Sequence, residues 1–214
     1  MRSNQIENYK KTLKLTDLQR EILIGTLLGD GHLETQNQGR TYRLKIEHTF
    51  WQKEYTDWLY RIFKDWVLTQ LQEKIQKVNG IPRKKYWFST ISHGAFRFYA
   101  QQFYQNKKKI LPRLIQKWLS PLTIAVWYMD DGSIKSDRHR ALILNTQCFT
   151  KKENQKLIEI IKKKFDIEMS LRPQRQQWQL YIGSLSVEKF IQLIWPYVLP
   201  SMRYKLGKLG NTIA

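Results

Sequence analysis

The chain has 214 residues, enough to bury a core as one large domain or as two small ones in close contact. Its 37 Lys and Arg against 18 Asp and Glu give a net charge of +19, a balance that points to nucleic acid or another anionic surface. A hydrophobic content of 42% excludes a disordered basic arm. The excess is spread along the chain, with 22 basic and 10 acidic residues in positions 1–120 and 15 and 8 in positions 121–214, so no tail carries it. The single cysteine, Cys148, excludes a disulfide framework and a cysteine-rich zinc site, fits a reducing compartment, and is expected to be a small packed side chain. The apolar runs at 22–28 and 122–129 fall short of the roughly 20 residues that cross a bilayer. With no N-terminal signal pattern before them, a soluble protein is expected.

Residues 1–15 read as an N-terminal extension. The stretch LTDLQREILIGTLLGDG then opens with Thr16 and Gln19 at capping-box spacing. It reads as a short buried helix ending at Asp30-Gly31, where a glycine can take the left-handed position. A hairpin strand within 32–43, an alternating strand in YRLKIEH, and an amphipathic helix to Phe63 follow. KKYWFSTISHGAFRFY reads as strand, turn and helix, and ILPRLIQKWL closes the unit. From Ser120 the plan repeats. SPLTIAVWYMDDG offers Ser120 as N-cap and Pro121 at the first helical position. A strand within 133–140 comes next, then a strand and helix in ALILNTQCFTKKENQKLIEIIKKKF, then QQWQLYIGSLSVEKFI and VLPSMRYKLG. Phe50 falls over Phe149, Ser92 over Ser184 and Phe98 over Phe190. A repeat of roughly a hundred residues is too long for a solenoid unit. It implies an α+β fold of two α-β-β-α-β-β-α halves, 16–119 and 120–208, related by a pseudo-two-fold axis, with 209–214 as a tail.

Each half begins with a helix that ends in a carboxylate, and this is where the chemistry is expected. A carboxylate at a helix C-terminus meets the negative end of the macrodipole, which a cation relieves. Gly25 and Gly29 leave a bare groove on the first helix and Ala125 and Met129 could face it on the second. Such a seam brings Asp30 and Asp131 together. Two carboxylates at close range repel unless one is protonated or a divalent ion sits between them. Oxygen ligands favour Mg²⁺ or Mn²⁺ over zinc. A single Asp-Gly is an ordinary turn dipeptide, whereas two at matched repeat positions are harder to assign to turns.

LIGTLLGDG at 23–31 and IAVWYMDDG at 124–132 resemble the motif of the LAGLIDADG homing endonucleases, in the subgroup where one chain carries two copies. The motif spacing, LNTQCFT after the second copy and the terminal LPSMRYKL also resemble that subgroup, over about residues 15–208. Val126 and Asp130 stand where the first motif has Gly25 and Gly29, a departure from the small-residue seam. The resemblance implies a monomer that cuts both strands of duplex DNA across the minor groove at a long asymmetric site, leaving 3′ overhangs. It implies that Asp30 and Asp131 ligate Mg²⁺, or Mn²⁺ in its place, with the backbone carbonyls of Gly29 and Asp130 as further ligands. It also implies active-site lysines, for which Lys109, Lys117 and Lys205 are the candidates; Lys117 answers Lys205 when Pro112 is placed over Pro200.

Strands with alternating polar side chains can enter a major groove, where Arg and Lys read guanine, Asn and Gln read adenine, and Glu accepts from cytosine. The expected readers in the first half are Arg40, Arg43, Lys45, Glu47, His48, Arg83, Lys84, Lys85 and Tyr86. In the second they are Lys135, Arg138, Arg140, Asn145, Gln147, Arg172, Gln174, Arg175 and Gln177. About half of such a set contacts phosphate alone or nothing. The four histidines show no zinc spacing, and the eight tryptophans are expected in the core. An intron-RNA-binding maturase and an inactive DNA-binding relative are the competing readings. Heavy use of Lys, Ile, Asn, Tyr and Phe suggests an AT-rich gene, hence an organelle or a bacterial cytoplasm.

Overall fold

The computed structural model describes residues 2–136 and 139–211, so Arg138 lies outside the described residues. After α1 (Arg2–Thr12), the first half runs α2 (Asp17–Leu28), β1 (His32–Glu34), β2 (Arg43–Thr49), α3 (Lys53–Ile62), β3 (Gln72–Val78), β4 (Ile81–Ser89) and α4 (Arg97–Phe103). A small hairpin of β5 (Tyr104–Gln105) and β6 (Lys108–Lys109) and a single turn, α5 (Ile115–Trp118), complete it. The second half runs α6 (Pro121–Asp131), β7 (Gly132–Ser136), β8 (His139–Leu144), α7 (Lys151–Phe165), β9 (Ser170–Gln174), β10 (Gln177–Ile182) and α8 (Ser184–Ile194). A 3₁₀ segment, Pro200–Asn211, ends the described chain.

Local chemistry sets these boundaries. Thr16 and Gln19 form the capping box of α2, Thr150 and Glu153 that of α7, and the Ser120 hydroxyl accepts from Thr123 N–H above Pro121. Each such cap satisfies amide donors that a helix start leaves unpaired. Neither Gly31 nor Gly132 adopts the left-handed conformation expected of it; Gly132 has φ −76°. They are needed for close approach instead. A Cβ on Gly31 would come within 2.9 Å of Thr26 Cβ, and one on Gly132 would overlap the carbonyl and ring of Tyr128.

The two sheets share one topology, β1-β2-β4-β3 and β7-β8-β10-β9, antiparallel throughout. Ile46 pairs with Phe88, and Leu144 pairs with Leu180 at the equivalent place. On one face of each sheet, Leu44, Ile46 and Phe88 or Leu142, Leu144, Leu180 and Ile182 are buried under the helices. Because side chains alternate, the residues between them form a second, open face. The strand register also corrects three expectations at once: His48, Tyr86 and Lys84 fall in step with the buried positions, on the helix face.

The helices α2 and α6 pack against each other at the centre of the molecule. Their seam is made of unlike surfaces. A Cβ on Gly25 would come within 2.7 Å of Val126 Cβ and 2.8 Å of the Thr123 carbonyl, and one on Gly29 would overlap the side chain of Asp130. Ala125 and Met129 are buried, but the Met129 sulfur accepts from Leu199 N–H at 3.4 Å and so faces the C-terminal segment. The expected facing of the glycine groove by Ala125 and Met129 is thus replaced by Val126 against Gly25 and Asp130 against Gly29, a bulkier partner each time. At the other end of the seam, the Ser120 hydroxyl donates to the Glu21 carboxylate and Thr123 donates to the Glu21 carbonyl.

Candidate active site

The packing brings the C-termini of α2 and α6 to one place beneath both sheets. Asp30 stands at the rim, with its side chain 49% exposed, whereas the Asp130 side chain has no exposed surface. Asp131 is half-buried. The Asp130 carboxylate accepts the Asp30 backbone N–H at 3.1 Å through Oδ2. The backbone carbonyl of Asp131 accepts from Asn145 twice, from the backbone N–H at 3.0 Å and from the side-chain amide at 2.8 Å.

Two lysines complete the arrangement in matching ways. The Lys109 ammonium donates to the Gly29 carbonyl at 2.6 Å, and the Lys205 ammonium donates to the Asp130 carbonyl at 2.6 Å. Each cation therefore sits on the carbonyl one residue before the motif aspartate, where the negative end of a helix dipole favours positive charge. These are the carbonyls expected to serve as metal ligands; in this structure lysines engage them. Lys117, the formal counterpart of Lys205 in the sequence, is exposed on α5 and makes no side-chain hydrogen bond or ion pair among the described residues. Lys109 reaches its place through the β5–β6 hairpin. Asn106 and Lys107 both have positive φ (50° and 63°) at its tip, as a two-residue type I′ turn requires.

His48 and Tyr55 form the floor. Burial holds the His48 imidazole down to about 4, against the opposing pull of the Asp30 charge. Burial, then the charges of Asp30 and Asp131, push the Asp130 carboxyl well above the ordinary carboxylate range. Burial and Asp30 raise Asp131 to about 7, against the lowering effect of Lys109 and Lys205. Burial also holds Lys205 below its ordinary value, although all three aspartates oppose this. Like charges gathered in a dry place shift in this way when nothing else neutralises them.

The site fits a divalent cation on a separate observation. Asp130 Oδ1 and both ring nitrogens of His48 are buried without a hydrogen-bond partner. Asp30, His48 and Asp130 each offer one ligand atom, all within 4.8 Å of one another. Buried polar atoms left unpaired are rare and costly, and a cation would satisfy them.

The open faces flank this centre. On the first sheet they carry Arg43, Lys45, Glu47, Arg83 and Lys85, joined by Gln72, Lys74 and Gln76 of β3. These charges are cross-linked: Arg43 and Lys45 pair with Glu34, and Lys74 and Lys85 pair with Glu47. On the second sheet the open face carries Lys135, Asn145, Gln147, Arg172, Gln174, Gln177 and Gln179. The amide of Gln147 donates to Gln174 and Asn145, and the Arg172 guanidinium stacks 3.4 Å from the Tyr181 ring centre. Arg40 is exposed in the β1–β2 loop and Arg175 sits at the β9–β10 tip with φ 55°. Arg140 pairs with Glu188 on α8, which ties it to the helix layer.

Other expectations are corrected by exposure. Trp51 is 84% exposed, outside the core, and Cys148 is exposed. Sequence reasoning missed Gln72, Lys74, Gln76 and Gln179. The alternation QEKIQ was the signal available for the first three.

Comparison with known proteins agrees with this construction. The family model described as the LAGLIDADG DNA endonuclease family matches residues 20–190. A probable intron-encoded endonuclease 1 of Wickerhamomyces canadensis is 31% identical over 95% of this chain and 90% of its own length. Cytochrome b mRNA maturase bI2 of Debaryomyces hansenii is 32% identical over 97% of this chain and 79% of its own. The solved structure of the homing endonuclease I-WcaI bound to its DNA recognition sequence superposes with a TM-score of 0.89 at 30% identity, covering 94% of this chain and 91% of that one. The chain belongs to the LAGLIDADG DNA endonuclease family.

Proposed function

We propose that the protein is a monomeric, site-specific endonuclease that hydrolyses both strands of duplex DNA with Mg²⁺, or Mn²⁺ in its place. The reading is carried by one observation: two helix ends, each bearing an aspartate and a lysine-held carbonyl, meet beneath two polar sheet faces. The pseudo-symmetric partner is already within the chain, so no second copy is needed. The sheets lie along successive major-groove segments of a long asymmetric site, and the aspartates face the minor groove between them, where cutting leaves 3′ overhangs.

Asp30 and Asp131 would hold a divalent cation, which when bound would polarise water and offset charge on the leaving oxygen. The chain's own groups do the rest. Lys109 and Lys205 bring fixed positive charge to the place where a phosphodiester gathers negative charge on the way to cleavage, in surroundings dry enough for that charge to act strongly. Asn145 fixes the backbone at Asp131 through two hydrogen bonds, which holds that carboxylate at the mouth of the site.

The test is cleavage of a duplex library by wild type, Asp30→Asn and Asp131→Asn with Mg²⁺, Mn²⁺ or Ca²⁺. Wild type cuts rare long sites with Mg²⁺ or Mn²⁺, and each variant loses cutting while still retarding the duplex on a gel. Variants that cut as well as wild type would overturn the assignment. The likeness to a maturase favours a second, RNA-directed role, which would show itself as tight binding of intron RNA in the same preparation.

A further inference from the structure

His48 is the residue that this function leaves unexplained. It comes from the middle of a sheet, its side chain is 1% exposed, and neither ring nitrogen makes a hydrogen bond. Nδ1 stands 3.7 Å from Asp30 Oδ2, and Nε2 stands 3.8 Å from Asp130 Oδ1, which is itself without a partner. Both distances are too long for hydrogen bonds. A neutral imidazole has one N–H and one lone pair, so one of these contacts sets a lone pair against a carboxylate oxygen. A cation seated between the ring and the Asp30 carboxylate removes that repulsion.

The geometry allows this in one way that uses all the orphaned atoms. Ligands each about 2.1 Å from a divalent cation lie roughly 3 to 4 Å apart, and the 3.7 Å separation of Nδ1 from Asp30 falls within this range. A ring that ligates through one nitrogen normally donates its other N–H to a carboxylate, which fixes the tautomer and the ring plane. Asp130 Oδ1 lies on that side. Its other oxygen is already held by the Asp30 N–H at 3.1 Å, so the carboxylate is anchored for the purpose.

We propose that His48 Nδ1 is a ligand of the divalent cation that Asp30 holds, with Asp130 positioning the ring through Nε2. The inference rests on the metal-dependent reading above and deepens it. The second half lacks the device. Register places Thr146 at the position of His48, since Ile46 opposite Phe88 corresponds to Leu144 opposite Leu180. Thr146 donates instead to the Trp178 carbonyl. The two motif ends are therefore chemically unequal. The Asp30 end is a mixed nitrogen and oxygen site, which binds Mn²⁺ and Co²⁺ in preference to Mg²⁺, and the Asp131 end is an oxygen site.

The experiment is pulsed electron paramagnetic resonance on the full-length chain with Mn²⁺ as the probe, reading ¹⁴N modulation, together with Mn²⁺ affinity by calorimetry. Wild type shows imidazole ¹⁴N coupling. His48→Gln abolishes it, while His93→Gln retains it, because the His93 ring is already engaged by the Lys10 carbonyl and the Ala95 N–H. Asp130→Ala keeps the coupling and weakens Mn²⁺ roughly 10- to 100-fold, the usual effect of losing a carboxylate behind a ligating histidine. Bound Mn²⁺ without ¹⁴N coupling in wild type, or coupling that survives His48→Gln, would overturn the proposal and leave the aspartate site standing. Equal Mn²⁺ affinity in wild type and Asp30→Asn would overturn the metal reading as well. Circular dichroism and thermal melting establish that each variant is folded.

Discussion

The two motif helices have nearly the same length and each leads into an aspartate, Asp30 two residues past the end of α2 and Asp131 at the last position of α6, yet α2 and its cap bring Gly25 and Gly29 to the seam and α6 brings Val126 and Asp130. A pseudo-two-fold axis in a single chain does not require equal surfaces; it requires surfaces that fit. Once the halves are joined covalently, each can change on its own, and a bulky residue on one side is matched by a missing side chain on the other. The same freedom placed Asp130 where it buries completely, beside His48, with nothing equivalent across the axis. What remains symmetric is what lies next to the aspartates: the lysine on the preceding carbonyl, at 2.6 Å in both halves.

That residual symmetry gives the largest expected effect. Lys109→Met and Lys205→Met each lower the rate of double-strand cleavage by about 10²-fold, the scale seen when one electrostatic stabiliser is removed from an active site. If the ends act independently, each variant slows one strand and supercoiled plasmid accumulates as nicked circles. If both strands slow together in either variant, the two ends share one centre and the comparison between them fails. Lys117→Met, exposed on α5, leaves the rate unchanged.

The seam is tested through stability. Gly25→Ala places a methyl against Val126 and the Thr123 carbonyl, backbone that cannot yield, and costs about 1–3 kcal/mol in urea denaturation, as overpacking does. Val126→Ala alone costs about 1–2 kcal/mol by leaving a cavity. In the double variant the new methyl enters the space just vacated, so the sum overestimates the loss and the coupling is favourable. Strict additivity would mean that these two residues do not face each other.

How far the sequence reached follows the same division. The Thr16–Gln19 capping box, Pro121 and the repeat of hydrophobic patterns made the element order and the two aspartates legible, because each is a local signal. The seam was not: Ala125 and Met129 were expected to face the glycines, whereas Val126 and Asp130 do, because complementarity is a property of the pair and not of either helix alone. His48 was misplaced for a similar reason. Its polarity in an alternating strand suggested a base reader, but the parity of Leu44 and Ile46 puts position 48 on the buried face. Lys109 was found, while the hairpin that delivers it was not, since Asn106-Lys107 carries no glycine to announce a type I′ turn. Trp51 shows the converse: an aromatic residue next to apolar neighbours in sequence lies outside the core because the chain leaves the sheet there.

The open faces sharpen the comparison further. The first is built largely of Arg, Lys and Glu, with Gln72 and Gln76 at β3, and the second largely of Gln and Asn. Guanidinium and ammonium groups read guanine, whereas amides read adenine. Selection of cleaved sites from a random library should therefore give a half-site richer in G·C under β1–β4 and one richer in A·T under β7–β10. Gln177→Ala should relax discrimination at one position by about 1 kcal/mol, the lower end of what a good side-chain–base contact contributes. Equal base composition in the two halves would show that shape, and not these side chains, dominates the reading.

The smallest effect concerns acid. Leu33 opposite Leu44 corresponds to Ile134 opposite Leu142, which places Glu34 in the first half where Lys135 stands in the second. Burial pushes the Glu34 carboxyl up, but hydrogen bonds from Arg43, His32 and Lys45 outweigh it and hold the group down to about 2 from an ordinary 4.5. A folded value below the unfolded one means that the stabilising contribution is complete above about pH 4.5 and is lost as pH falls toward 2. Protonation leaves Arg43 and Lys45 facing each other uncompensated. Thermal melts of Glu34→Gln should therefore lie below wild type at pH 7 and converge with it near pH 2. Lys135→Gln has no carboxylate to titrate and should run parallel to wild type over the same range. Parallel curves for Glu34→Gln as well would show that the cations of the first sheet do not depend on this carboxylate, and that the charge contrast between the two edges has no energetic consequence.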